Sequence, residues 1–165
     1  MRIKLRNLDE ADCEKIIEQF NIPAVVRWLS VPSPFTARDF SAFLARVRIA
    51  GAAGKRVDCV GAHEDGRFLG AVSLDTRTAE LSFWVAREHW GCGIGQALVS
   101  AFIAERVSRI PTAYIVAAVH ESNNRASSLL ERCEFRYIGQ QYYCYGNTGM
   151  IARLYRRILC ADSGC

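Results

Sequence analysis

No two cysteines in this sequence are spaced C-x-x-C, and no cysteine and histidine set has zinc-type spacing. The seven cysteines, Cys13, Cys59, Cys92, Cys133, Cys144, Cys160 and Cys165, are odd in number. Met1 to Arg6 alternates charged and apolar residues instead of forming a secretory leader. A disulfide scaffold and a structural metal site are therefore not expected, and the thiols read as buried or incidental in a reducing cytoplasm. No apolar run reaches the roughly 18 residues of a membrane span, because Arg or Glu interrupts each one. Basic clustering is also missing. Lys and Arg total 21 against 17 Asp and Glu, a net charge of +4, and the tightest groups are only Lys55-Arg56 and Arg156-Arg157. That excludes a nucleic-acid-binding stripe but suits a small polyanionic ligand. There are no internal repeats, no low-complexity segments and only four prolines.

What is present is the composition of a soluble, core-forming chain. It has 165 residues, 50% hydrophobic and 23% charged. A chain of this length forms one domain and buries roughly 70% of its unfolded surface. The expectation is a single domain over 1–165, with 161–165 as a loose tail.

The periodicities order the elements. Ile3 and Leu5 alternate with basic residues, as in a half-buried strand. Asp9 offers a cap to a helix carrying Cys13, Ile16, Ile17 and Phe20 at helical spacing. Pro23, Pro32 and Pro34 mark an irregular connection around Val25 to Leu29. Thr36 and Asp39 form a capping box before Phe40, Phe43, Leu44 and Val47, and Gly51 to Gly54 closes that helix. Strands follow at Val57–His63, Arg67–Leu74 and Ala79–Val85, joined by tight turns at Glu64-Asp65-Gly66 and Asp75 to Thr78. A glycine-rich loop then leads into a helix from Gly93 to about Arg109, stopped by Pro111. Ala113 to Val119 is a continuous apolar strand, Asn124 to Cys133 a short helix, and 135–145 and 149–159 two closing strands. The order β-α-α-β-β-β-α-β-α-β-β predicts a mixed α/β fold.

The loop Trp90-Gly91-Cys92-Gly93-Ile94-Gly95-Gln96 joins a strand directly to a helix. Glycines allow positive φ and close backbone approach, and a helix start offers unpaired N–H groups and partial positive charge, so the segment suits phosphate. A plain strand-to-helix turn is the alternative. The spacing matches neither G-x-x-x-x-G-K-[ST] nor G-x-G-x-x-G. After the apolar strand comes His120-Glu121-Ser122-Asn123-Asn124-Arg125-Ala126-Ser127-Ser128-Leu129-Leu130-Glu131-Arg132-Cys133-Glu134-Phe135.

Together these two segments resemble the GNAT superfamily of acyl-CoA N-acetyltransferases. The glycine loop is similar to its pyrophosphate motif [RQ]-x-x-G-x-[GA]. The later segment is similar to the N-x-x-S…L-L-E-[KR]-x-G-F pattern of the RimJ/RimL-type branch, as are Ile3-Lys4-Leu5-Arg6…Asp12 and Pro34-Phe35-Thr36. The resemblance covers nearly the whole chain. It implies a GNAT fold, a mostly antiparallel mixed sheet whose strands splay at the cofactor site. It also implies acetyl-CoA as co-substrate, no metal, and a primary amine as acceptor, either a protein N-terminus or a small molecule. Three positions depart from the pattern. Trp90 stands for the loop Arg or Gln, Glu134 for the Gly before Phe135, and Leu130 for a tyrosine that protonates the departing thiolate.

Carried onto this sequence, the resemblance implies that Phe83, Trp84 and Val85 pair with the pantetheine arm, with the Val85 N–H facing the acetyl oxygen. The N–H groups of Cys92, Gly93, Ile94, Gly95 and Gln96, aided by Arg87, take the pyrophosphate. Asn124 and Ser127, one helical turn apart, hold pantetheine and sulfur. Ser127 is the expected partner of the leaving thiolate, against a helix serine bonding its own backbone. Glu80 is the expected proton relay for the amine, against a solvated carboxylate. No Asp or Glu lies between Glu134 and Asp162, which leaves Tyr142, Tyr143 and Tyr145 on the closing strands, with His120 and Glu121 at the cleft mouth. The acceptor cleft is expected from 21–38 and those strands. Cys92, at a helix start, is a candidate reactive thiol. The rivals are a catalytically weak sensor that binds coenzyme A and a nucleotide-phosphate binder. A cytoplasmic monomer or homodimer, with no nucleic-acid or membrane partner, is the accompanying expectation.

Overall fold

In the computed structural model the described residues are 3–53, 57–145 and 148–159. The expected tail at 161–165 and the thiols of Cys59, Cys144, Cys160 and Cys165 lie outside what is described. Strands β1 (Lys4–Asn7), β2 (Val57–Glu64), β3 (Arg67–Asp75), β4 (Glu80–Val85), β5 (Tyr114–His120), β6 (Arg136–Tyr145) and β7 (Thr148–Ile158) form one sheet in the order β1-β2-β3-β4-β5-β7-β6. Every neighbouring pair is antiparallel except β4 and β5, which run parallel. This is the expected mixed, mostly antiparallel α/β sheet.

Two helical layers cover it. On one face lie α1 (Cys13–Phe20) and α3 (Ala37–Ala52), held by Leu8, Ile16, Phe35, Phe40, Leu44 and Phe68, with Trp84 of β4 packed against them. On the other lie α4 (Ile94–Glu105) and α5 (Asn124–Arg132), where Leu98, Val99, Phe102, Ile115 and Leu130 are fully buried. Strand alternation divides β4 accordingly. Leu81, Phe83 and Val85 belong to the α4–α5 core, while Trp84 faces Phe20 and Phe68.

Local chemistry explains the element starts. Asp9 and Asp12 form a reciprocal cap ahead of α1, and Arg6 clamps the buried Asp12 carboxylate with contacts of 3.0 and 2.7 Å. Thr36 and Asp39 form the expected capping box of α3. The segment after Pro23 was expected to be irregular but forms a single helical turn, α2 (Pro23–Val26), because Pro at its first position pre-sets φ. Asp65 and Gly66 both take positive φ (49° and 79°) in the β2–β3 hairpin, the geometry of a tight two-residue turn. The helix expected to run to about Arg109 ends at Glu105 and continues as a short 3-10 turn, Val107–Arg109.

The departure at Glu134 leaves the turn intact. Glu134 adopts a left-handed φ of 65° just after α5, the conformation that glycine takes without steric cost. Its carboxylate meets Arg157 Nη2 at 2.6 Å, but the side chain is 76% exposed, so the pair offsets little of the strain. Glu134→Gly is therefore expected to stabilise the protein by about 1 kcal/mol. A melting temperature that rises by roughly 2–4 °C would bear this out, and an unchanged or lower one would contradict it.

Candidate functional site

The parallel pair β4 and β5 meets at one register position, Glu80 opposite Val116, where the Val116 N–H bonds Ala79 O at 2.9 Å. Beyond it the strands part, β4 following β3 and β5 following β7. The Ala86 N–H donates to Leu69 O at 2.8 Å, and antiparallel pairs alternate, so the peptide groups of Trp84 and Ser82 are turned toward β3. Those of Phe83 and Val85 therefore face the gap. At its end β4 runs unusually close to β3. A Cβ at Gly70 would stand 2.3 Å from Trp84 O, so only glycine fits opposite Val85.

The glycine loop closes the end of this gap. Gly93, the N-cap of α4, has φ 77°, and no side chain caps the helix. The first intrahelical bond is Ala97 N to Gly93 O, which leaves the N–H groups of Ile94, Gly95 and Gln96 without helical partners. A Cβ at Gly91 or Gly93 would meet nothing within 4 Å, so the backbone is open to solvent there. Gly95 differs, because a Cβ on it would lie 2.4 Å from Leu129 Cδ1. It lets α5 approach α4.

A family model described as the acetyltransferase (GNAT) domain matches residues 2–136, most of the chain. The chain belongs to the GNAT acetyltransferase family. No curated protein sequence matches it significantly. Among solved structures it is similar to the Microcin C7 self-immunity acetyltransferase MccE in complex with acetyl-CoA and AMP, at TM-score 0.80 and 17% identity over 95% of this chain and 92% of that one. A second is RimL, the ribosomal L7/L12 alpha-N-protein acetyltransferase, at TM-score 0.80 and 16% identity over 95% and 90%. A third is a spermidine N-acetyltransferase from Vibrio cholerae with CoA and spermine, at TM-score 0.74 and 18% identity over 93% and 94%.

Within this GNAT fold the expected site residues separate into groups. Phe83 and Val85 lie on one bank of the gap, and Cys92 to Gln96 at its end. Trp84 does not join them. Its peptide is turned to β3, and its ring packs 4.8 Å from Phe20 and 5.6 Å from Phe68. On the other bank Asn124 and Ser127 come together through a residue that sequence reasoning missed. Arg153 of β7 donates from Nη1 to Asn124 Oδ1 at 2.9 Å and reaches Ser127 Oγ at 3.5 Å. Ser127 is only 5% exposed, and Leu130 is fully buried in the core. Glu80 stands apart at the closed end, five residues and about 16 Å along β4 from Val85. Burial, then the nearby Asp75, raises its pKa above the usual 4.5.

The mouth carries two further anchors. Trp28, after α2, stacks edge-on against His120 at 5.7 Å, which sets the 21–38 segment over the end of β5. His120 Nδ1 accepts the Ser122 N–H at 3.2 Å. On the closing strands Tyr142 is 65% exposed. Cys92 is exposed, its Sγ 3.8 Å from Trp90 O. Among the described residues no group of three or more His, Cys, Asp or Glu could hold a metal, and no helix is long and apolar enough to cross a membrane.

Trp90, at the position where the resembling motif has Arg or Gln, makes contacts within the chain. Its Nε1 donates to Val85 O at 2.8 Å, tying the loop to the end of β4. Arg87 lies over its ring at 4.7 Å and Arg125 at 5.6 Å. Arg87 is fixed in turn, because its N–H donates at 2.6 Å to Oε1 of Gln19, a fully buried residue of α1 that also bonds Glu88. Trp90→Phe keeps the ring but deletes the donor. It should cost about 1 kcal/mol, read as a fall of roughly 2–4 °C in melting temperature. Unchanged melting would mean that the indole N–H contributes nothing.

Proposed function

We propose that this protein transfers the acetyl group of acetyl-CoA to a primary amine, and that the acceptor is a peptide or protein N-terminus of the RimJ/RimL type. The observation that carries the reading is the gap between β4 and β5, which ends on the uncapped start of α4. A strand edge that offers N–H and C=O groups suits the amides of a pantetheine arm. A helix start with unpartnered N–H groups suits a pyrophosphate. The residues present therefore fit coenzyme A, which when bound supplies a thioester-activated acetyl group.

Each side chain then has a task. The Val85 N–H faces the acetyl oxygen and stabilises the charge that develops there. The N–H groups at 92–96 hold the pyrophosphate, with Arg87 and Arg125 beside them on Trp90. Asn124 and Ser127 hold the pantetheine and the sulfur. Glu80 takes the proton of the incoming ammonium, relayed over the exposed Ser82 on the same face of β4.

The mouth favours an acceptor of modest charge. Arg27 lies 4.5 Å over Trp28, which stacks on His120, so the entrance presents a cation and aromatic rings. A polycation is repelled there, whereas a single terminal amine on a peptide is not. Thiol release from acetyl-CoA, measured against a panel of N-terminal peptides, spermidine and an aminoglycoside, tests the reading. Turnover with a peptide exceeding that with spermidine is expected. Coenzyme A binding without thiol release on any acceptor would favour the sensor reading, which the buried Leu130 motivates. Stabilisation by ATP but not by coenzyme A would overturn both.

Glu80 gives a pH prediction. Its raised pKa means that the folded state disfavours the charged form. That penalty is absent below the unfolded value near 4.5 and grows as pH rises through the folded value. Glu80→Gln should therefore melt higher than the parent at pH 7 but not at pH 4. The same variant should lose the acid limb of the kcat/KM profile. An unaltered pH–rate profile would remove Glu80 from proton transfer.

A further inference from the structure

Arg153 is placed against electrostatic preference. It sits at the N-terminal end of α5, beside Asn124 and Ser127 in that helix's first turn, and no acidic residue occupies that turn. A helix N-terminus already carries partial positive charge, so a guanidinium there is repelled unless a carboxylate neutralises it. Among the described residues none does. The neighbouring Arg157 takes Glu134. The register fixes where this charge lies. Arg153 pairs with Val119, three residues beyond the last contact of β5 with β4, and so lies within the gap's length. Its single strong acceptor, Asn124 Oδ1, leaves most of the five guanidinium N–H donors uncommitted.

We propose that Arg153 is a catalytic residue that receives the departing thiolate of coenzyme A. This rests on the acetyltransferase reading above. In the transfer a C–N bond forms, the C–S bond breaks, and its electron pair stays on sulfur. The ammonium proton leaves to Glu80 or to water. Arg153 stays protonated throughout, so it stabilises the thiolate by charge and does not itself donate a proton to it. Ser127 acts beside it. Because its oxygen faces Arg153 Nη1, its own O–H is free to point at the sulfur. The pair does the work of the tyrosine that the buried Leu130 cannot do.

The competing role is structural, a strap from β7 to α5, and two substitutions separate the roles. Arg153→Gln removes the charge. Asn124→Asp keeps the contact, strengthens it as an ion pair and suits a helix N-terminus, yet cancels the charge. The readout is the ultraviolet thiolate absorbance of bound coenzyme A against pH, with desulfo-coenzyme A as the baseline. In the parent protein the bound thiol should titrate below free coenzyme A. In both variants it should move up by about one pH unit or more, with turnover at saturation falling about 10- to 100-fold, and in Arg153→Gln the KM for acetyl-CoA should change less than about threefold. A strap would be preserved or improved by Asn124→Asp, so unchanged thiol titration and turnover in that variant overturn the proposal. It is likewise overturned if Arg153→Gln leaves the titration in place. Failure of the parent protein to bind coenzyme A would instead overturn the function reading and this role with it.

Discussion

The single hydrogen-bonded meeting of β4 and β5 is the constraint on which the site depends. Parallel neighbours normally share evenly spaced bonds along their length. Here they share a register at Glu80 and Val116 and then part. Each strand is held by its other neighbour, β4 by six register pairs with β3 and β5 by seven with β7. The helices beneath keep the two halves joined. α4 and α5 approach so closely that the Leu129 side chain rests on Gly95, where a Cβ would have to displace it. The sheet is thus open on its polar edges and closed in its apolar core.

That geometry sorts the chemistry by bank. The β4 bank offers backbone groups, the end offers the bare start of α4, and beyond β5 lie the side chains of Ser127 on α5 and Arg153 on β7. Trp90 joins bank to end through Val85 O. Gln19 joins the segment that leads into the glycine loop to α1, so the α1 layer and that loop are tied together by hydrogen bonds. On the proposed reading, charge recognition comes mostly from oriented dipoles and a few placed arginines, for which a net charge of only +4 suffices.

Much of this was legible in the sequence because it is local. The Thr36–Asp39 box, the hairpin turn at Asp65-Gly66, the glycine loop and the α5 motif are each written within a few residues, and each sits where the pattern placed it. Long-range pairing was not legible. Nothing in 148–158 says that Arg153, and not Arg156 or Arg157, falls opposite Val119, because that depends on the β5–β7 register. The same holds for Trp90. Its place in the motif, where Arg or Gln is usual, did not show that the fold supplies an acceptor at Val85 O and two guanidinium groups over the ring. Trp84 shows the reverse case, where proximity in sequence to the gap did not reveal that its peptide turns to β3. One signal pointed to the strand though not to the residue: Arg153, Arg156 and Arg157 lie on a closing strand that carries no acid to neutralise them.

Amide hydrogen exchange bears most directly on whether the β4–β5 gap and the α4 start hold coenzyme A. With coenzyme A added, the amides of Phe83, Val85, Ile94, Gly95 and Gln96 should slow together, while those of Trp84 and Ser82, already paired to β3, should change little. Protection confined to other parts of the fold, or none at those five amides under saturating coenzyme A, would contradict the assignment of this gap as the cofactor site.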